Sequence, residues 1–150
     1  MYDKFISFLK EHGLYNQEAM DYIKDKTYYI NYDGNESNGF FGCFPIMEGN
    51  IVKDIRLCVP KMIDDITVSI NIHEYVHLNK IYKHLNKEYI ESKYEDVLPM
   101  AYEFLYLMHN DPEYLDYYIE KVKSGDDEIL KLFVTFYEGT NKLLSKKKQW

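Results

Sequence analysis

Residues 64–85 read DDITVSINIHEYVHLNKIYKHL, and this stretch decides the fold class because it predicts one long helix. Asp64 or Asp65 is a suitable N-cap for it. Isoleucines then recur at helical spacing, as expected for a helix with a buried stripe. The sequence HEYVH at 73–77 lies inside this segment, so both of its histidines belong to the predicted helix.

The segments around this helix differ in character on its two sides. Three β-prone segments precede it, at 27–32, 39–44 and 51–59. Helical patterns follow it to the end of the sequence, with Ser92 and Asp111-Pro112 as predicted helix starts. We therefore predict an α+β fold in which a small antiparallel sheet packs against a mostly helical C-terminal half.

The composition favours a single domain over residues 1–150. Of the 150 residues 46% are hydrophobic and 17% aromatic, which is too much apolar surface for a disordered chain. A formal net charge of −7 argues against a phosphate-binding surface, and no apolar run approaches the roughly 20 residues that cross a bilayer. Two cysteines are too few for a disulfide framework. We expect a cytoplasmic protein that binds neither nucleic acid nor membranes, and the sequence does not define its oligomeric state.

The HEYVH segment has the spacing of a catalytic zinc motif, HExxH. Side chains four residues apart lie one above the other on a helix, so the imidazoles of His73 and His77 can converge on one Zn²⁺. Glu74 then lies beside the metal, where it can accept a proton from a metal-bound water. The alternative is a pair of exposed or hydrogen-bonded histidines with no metal.

A catalytic zinc needs a third protein ligand. A third histidine after a glycine turn is absent, because Lys83 occupies the sixth position after His77. His84 would lie about 10 Å further along the helix, too far to reach the same ion. The third ligand is therefore expected to be a carboxylate from the next helix.

Four acidic residues can return to the motif along the chain: Glu91, Glu95, Asp96 and Glu103. We predict Glu95, because the segment after His77 is long enough to end the first helix, turn and come back. Pro99 is expected to kink the second helix just beyond it. Ser92-x-x-Glu95 is also a capping box, in which Glu95 would only close a helix start. Glu103 is the alternative ligand, or a hydrogen-bond partner for a ligating imidazole.

His73-Glu74-x-x-His77 followed by Glu95 resembles the gluzincin zinc peptidases, and residues 95–103 resemble the Glu, Pro and second Glu of thimet-oligopeptidase-like enzymes. Small peptidases of the ImmA/IrrE type share the same combination. Thimet-oligopeptidase-like enzymes place the third ligand two residues before the proline, whereas Glu95 lies four before Pro99. The resemblance implies a zincin-like fold, zinc on both histidines and Glu74 as general base.

We therefore predict a zinc metallopeptidase, a hydrolase of a peptide or protein substrate. A regulatory peptidase specific for one protein partner and a non-catalytic metal-binding or helical interaction domain are the alternatives. The candidate donors to an oxyanion are Tyr102, Tyr106, His109, Tyr117 and Tyr137. The strand at 51–59 is expected to pair with an extended substrate.

Overall fold

Three strands and six α-helices form the part of the chain that this computed structural model describes, residues 1–32 and 41–148, with side chains up to residue 143. The helices are α1 (Tyr2–Glu11), α2 (Gln17–Ile23), α3 (Asp65–Tyr82), α4 (Val97–Asn110), α5 (Pro112–Lys123) and α6 (Glu128–Lys148), with a 3-10 turn at Lys24–Lys26. The strands are β1 (Thr27–Ile30), β2 (Gly42–Glu48) and β3 (Ile51–Pro60). None of the helices in these ranges has the length and apolar character that crossing a bilayer requires.

The sheet has the order β1-β3-β2, so β3 is its central strand. A tight turn at Gly49, where φ is +60°, joins β2 to β3 as an antiparallel hairpin. β1 pairs with the other edge of β3 and runs parallel to it. The predicted α+β class is confirmed, but the wholly antiparallel sheet is wrong, because β1 and β3 run in the same direction. The predicted strand 39–44 starts among residues outside the described ranges, and β2 continues to Glu48.

The long central helix α3 separates two clusters of buried apolar side chains. Ile72 packs on its helical side with α1, α4, α5 and α6, where Phe104 and Leu107 are buried. Leu78 packs on its other side against β3 and α2, where Leu57 is buried. Each fully buried side chain of this size contributes roughly 2 kcal/mol to the free energy of unfolding. The burial of α3 on both sides explains why its sequence is apolar on more than one face.

Two of the helix starts show how far local sequence determines the elements. The Asp64 carboxylate accepts the backbone N–H of Thr67 at 2.8 Å, so α3 starts at a predicted cap. α4 starts at Val97 and not at Ser92, because residues 92–96 form turns. Pro99 then lies in the first turn of α4, where backbone N–H groups have no acceptor within the helix, so the missing N–H of proline breaks no hydrogen bond. The predicted kink therefore does not apply.

Asp54 in β3 ties the sheet to the helical segment before β1. Its carboxylate accepts the Tyr22 hydroxyl and the backbone N–H of Ile55, and it forms ion pairs with Lys26 at 3.0 Å and with Arg56. The Tyr22 hydrogen bond, followed by those from Lys26, Ile55 and Arg56, holds the pKa of Asp54 well below its usual range. The folded state is therefore stabilised by the ionised form of this carboxyl group.

We expect Asp54→Asn to lower the free energy of unfolding at neutral pH by about 1 kcal/mol. The contribution of Asp54 is complete above its unfolded-state pKa of about 3.9 and is lost as the pH falls towards its lower folded-state pKa. The difference between wild type and variant should therefore shrink in acid. Urea unfolding over a pH series measures this, with the exposed neighbour Asp25→Asn as control. A difference that stays constant into strong acid would contradict the assignment.

Candidate metal centre

His73 and His77 lie near the middle of α3, on the side where α4 begins. Their rings are 5.0 Å apart between centroids, and both side chains are largely buried. The two Nε2 atoms face each other at 3.2 Å. The helical spacing predicted that these imidazoles share one face, and the structure places them so that both point at one position.

Asp96, the residue before α4, completes this arrangement. Its Oδ1 atom lies 2.8 Å from Nε2 of His77 and 3.3 Å from Nε2 of His73. Ligands on a tetrahedral ion with bonds of 2.0–2.1 Å lie about 3.3 Å apart, close to these separations. The separations of these three atoms therefore fit the ligands of a divalent cation of the size of Zn²⁺.

Glu74 belongs to the same cluster but is more deeply buried. It is 6% exposed, and ligand atoms of His73, Glu74 and His77 all lie within 4.8 Å of one another. Burial raises the pKa of Glu74 to about 7, although the two histidines oppose the shift. This carboxyl group therefore titrates near neutral pH beside the two imidazoles.

The predicted ligand Glu95 is not brought to the histidines. Its carboxylate accepts the backbone N–H of Ser92 at 3.0 Å and the ammonium group of Lys80 at 2.9 Å. The first is the contact expected for the alternative role of Ser92-x-x-Glu95, although it closes a turn before α4 and not a helix start. The turn at 92–96 directs consecutive side chains differently, so Asp96 faces the histidines while Glu95 closes the turn. Glu91 lines the same cavity as Asp96.

Glu103 in α4 contacts Nδ1 of His73, the ring nitrogen that does not face His77. The Nδ1–H of His73 donates to the Glu103 carboxylate, which leaves Nε2 to face Asp96 and His77. Glu103 is 4% exposed, and the Tyr118 hydroxyl of α5 donates to the same carboxylate oxygen at 3.1 Å. Sequence reasoning gave Glu103 this contact as one of two roles but did not single out Tyr118, which is one of 16 tyrosines.

Negative charge exceeds positive charge around the two histidines. Burial lowers the pKa of His73, but the charge of Glu103 and the hydrogen bond to Asp96 outweigh it and raise this pKa to about 10. Hydrogen bonds from His73 and His77 hold the pKa of Asp96 well below its usual range. Three carboxyl groups thus surround two imidazoles, an arrangement that a bound cation would neutralise.

The cluster opens into a cavity of about 380 Å³. The start of β2 forms the opposite wall, and the lining includes Phe41, Gly42, Cys43, Phe44, Pro45, Ile81 and Tyr89. β2 is the edge strand on this side of the sheet, whereas β3 has a partner on both edges. The expectation that the strand at 51–59 pairs with a substrate is therefore wrong, because β3 is not an edge strand: β2 covers one edge, and β1 together with residues 85–88 covers much of the other.

The predicted oxyanion donors are not among the residues that line this cavity. The Tyr106 hydroxyl donates to Asp65 at 2.7 Å, and the Tyr137 hydroxyl contacts the Met108 sulfur at 3.8 Å. Tyr117 is exposed on α5. Tyr89 is the tyrosine that lines the cavity within the described ranges, and its hydroxyl is hydrogen-bonded to Glu95.

Comparison with known proteins identified no relative of this chain: no protein-family model matches it, and neither a curated protein nor a solved structure is significantly similar. The resemblance to gluzincin peptidases therefore depends on the site residues alone. Their geometry defines the class of site, a cluster of histidine and carboxylate side chains that could hold a metal.

We expect Glu95→Ala to destabilise the protein by about 1–2 kcal/mol, because the Ser92 N–H and the Lys80 ammonium group both lose their acceptor. Chemical denaturation in the presence of a chelator measures this effect without any contribution from metal. The exposed neighbour Lys93→Ala is the control. Equal stability of the Glu95 variant and wild type would show that the capping contact contributes nothing.

Proposed function

We propose that this chain is a zinc metallopeptidase in which His73, His77 and Asp96 hold the metal and Glu74 is the general base. The observation that carries the proposal is the convergence of two Nε2 atoms and one carboxylate oxygen within 3.3 Å of each other, next to a buried glutamate. An aspartate in the third position departs from the gluzincin pattern. The peptidase class therefore rests on the chemistry of the site, and a zincin-like fold remains part of the proposal.

The residues fit zinc because both imidazoles present Nε2 and the carboxylate presents one oxygen. A zinc ion bound there would polarise a substrate carbonyl and lower the pKa of a coordinated water. Glu74 has a pKa of about 7, so its carboxylate can accept a proton at neutral pH and release it again to a leaving amine. The raised pKa that follows from burial is what suits this residue to proton transfer.

Glu103 and Tyr118 act on His73 and not on the substrate. The Glu103 carboxylate accepts the Nδ1–H of His73 and so fixes the orientation of its ring, and the Tyr118 hydroxyl donates to the same buried carboxylate. Burial is the largest cause of the raised pKa of Tyr118, so this hydroxyl keeps its proton and remains a donor. The three residues come from three helices, so their hydrogen bonds connect α3 with α4 and α5 at the site.

The wall formed by β2 favours an extended peptide as substrate. An exposed strand edge offers main-chain groups that an extended chain can pair with. Pro45 has no backbone N–H, so it suits a position whose backbone faces this open edge. The backbone of Cys43, two residues earlier, faces the same edge and offers both an N–H and a C=O group. Phe44 and Ile81 add apolar surface to the cavity. A peptide segment therefore suits the site better than a compact polar metabolite does.

The partners and compartment follow from charge and cysteine chemistry. The net charge of −7 favours peptide over nucleic acid as the ligand. Cys43 and Cys58 lie on adjacent strands and are both free thiols. Free thiols suit a reducing compartment, so we place the protein in the cytoplasm as part of the proposal.

The proposal is tested with Glu74→Gln, which removes the proton acceptor and keeps the size of the side chain. We expect hydrolysis of an unfolded protein such as casein to fall at least about 100-fold while zinc stays bound. Metal analysis after gel filtration and a peptide-release assay give the two readouts. Wild type without stoichiometric zinc, or a variant of undiminished activity, would contradict the proposal. Zinc binding without hydrolysis of any tested protein would favour the non-catalytic alternative or a peptidase restricted to one partner.

The choice of third ligand is tested by a matched pair of adjacent substitutions. We expect Asp96→Ala to weaken zinc binding at least about 100-fold, because one of three protein ligands is lost. Glu95→Ala should weaken zinc binding far less than Asp96→Ala does, since the contacts of Glu95 are with Ser92 and Lys80 and act only on the turn that carries Asp96. Competition with a fluorescent zinc chelator measures both. The opposite ranking would restore Glu95 as the ligand and leave the class of enzyme unchanged.

A further inference from the structure

The last helix, α6, is apolar on two opposite sides. One side packs against the helical layer, where Val134 is fully buried and the rings of Phe133 and Tyr137 both contact Phe104. On the other side three large apolar side chains are exposed: Leu132 at 57%, Phe136 at 67% and Leu143 at 64%. A helix with two apolar sides is normally covered on both, and the described part of this chain covers one.

The exposed side chains lie on one straight stripe. Residues 132, 136, 139 and 143 are spaced by four, three and four, which is the spacing of the a and d positions of a coiled coil. The stripe is therefore shaped to meet another helix that runs alongside α6. We name these four residues, Leu132, Phe136, Gly139 and Leu143, the α6 seam.

The α6 seam is complementary to itself when two copies run in opposite directions. Leu132 then meets Leu143 of the second copy, and Phe136 meets Gly139. Both pairs are centred on the same point, between residues 137 and 138, so one two-fold axis satisfies them together. Apart from its own helix backbone, no described residue would come within 4 Å of a Cβ atom on Gly139, so the space above it is open to an aromatic ring.

The distribution of charge along α6 also favours antiparallel pairing of two copies. Acidic residues occupy 126–128 at the start of α6, and lysines occupy 142 and 146–148 towards its end. Antiparallel pairing brings the acidic start of each helix to the basic end of the other, whereas parallel pairing would bring like charges together. Complementary charge and the Phe136–Gly139 fit both identify a second copy of this chain as the occupant.

We propose that this protein forms a two-fold symmetric dimer in which the α6 seams of two copies pack antiparallel. The metal centre on α3 and α4 is not part of this contact, so the dimer stands independently of the proposed peptidase activity. The seam also favours a helical interaction surface as one function of the C-terminal helix.

The first test compares wild type with Phe136→Asp by sedimentation over a concentration series of the full chain. We expect a dimer for wild type and at least about tenfold weaker association for the variant, because Phe136 is the aromatic anchor of the seam. The control, Ile90→Asp, replaces another highly exposed apolar residue outside α6 and should leave the dimer unchanged. Equal thermal unfolding of all three in the dilute, monomeric range verifies folding. A wild type that stays monomeric throughout, or a dimer that Phe136→Asp does not weaken, overturns the proposal.

The second test determines the direction of the pairing. The double variant Leu132→Cys, Leu143→Cys should form disulfide-linked dimers under mild oxidation, since each new thiol faces the other position in the second copy. Each single variant should give no more cross-linked dimer than wild type, in which Cys43 and Cys58 set the background. Cross-linking by a single variant as efficient as that of the double variant would indicate a parallel pair and overturn the antiparallel seam.

Discussion

The burial of α3 between the sheet and the helical layer is the constraint on which the rest of the structure depends. With Ile72 packed on one side and Leu78 on the other, the helix has one polar face left, and HExxH occupies it. The buried polar residue Asn71 of α3 has its hydrogen-bond partners too, since its side-chain amide donates to the carbonyl groups of Pro60 and Thr67 at 2.9 Å. This packing fixes the rotation of α3, so both imidazoles must face the start of α4.

The chemistry of the site follows from charges held at low exposure. Glu74 and Glu103 are nearly inaccessible to water. Burial raises the pKa of Glu74 and so opposes its charge, whereas the two neighbouring histidines support that charge. Such a cluster is costly to keep in a folded protein unless a cation or protons compensate it. The same burial that makes the cluster costly also brings Glu74 into the pKa range required for proton transfer at neutral pH.

The sheet shows how a short chain can build a cleft from few elements. Because β1 pairs with β3 and not with β2, β3 is the central strand, and β2 is an edge strand that forms the wall opposite α3. The cavity therefore lies between one helix and one strand edge, with the turn before α4 adding Asp96. Among the described residues this site is open along β2, which is why we propose an extended ligand.

The sequence by itself determined those features that depend on neighbours a few residues apart. These include the cap at Asp64, the common face of His73 and His77, and the helix start at Asp111-Pro112. The tertiary structure alone decided that Asp96 and not Glu95 faces the histidines, that Tyr118 reaches Glu103, and that β1 runs parallel to β3. Hydrogen bonds and side-chain spacing within a turn are local and can be read from the order of residues. Which of two adjacent carboxylates points inward depends on how the turn before α4 packs against α3, and no local pattern encodes that rotation.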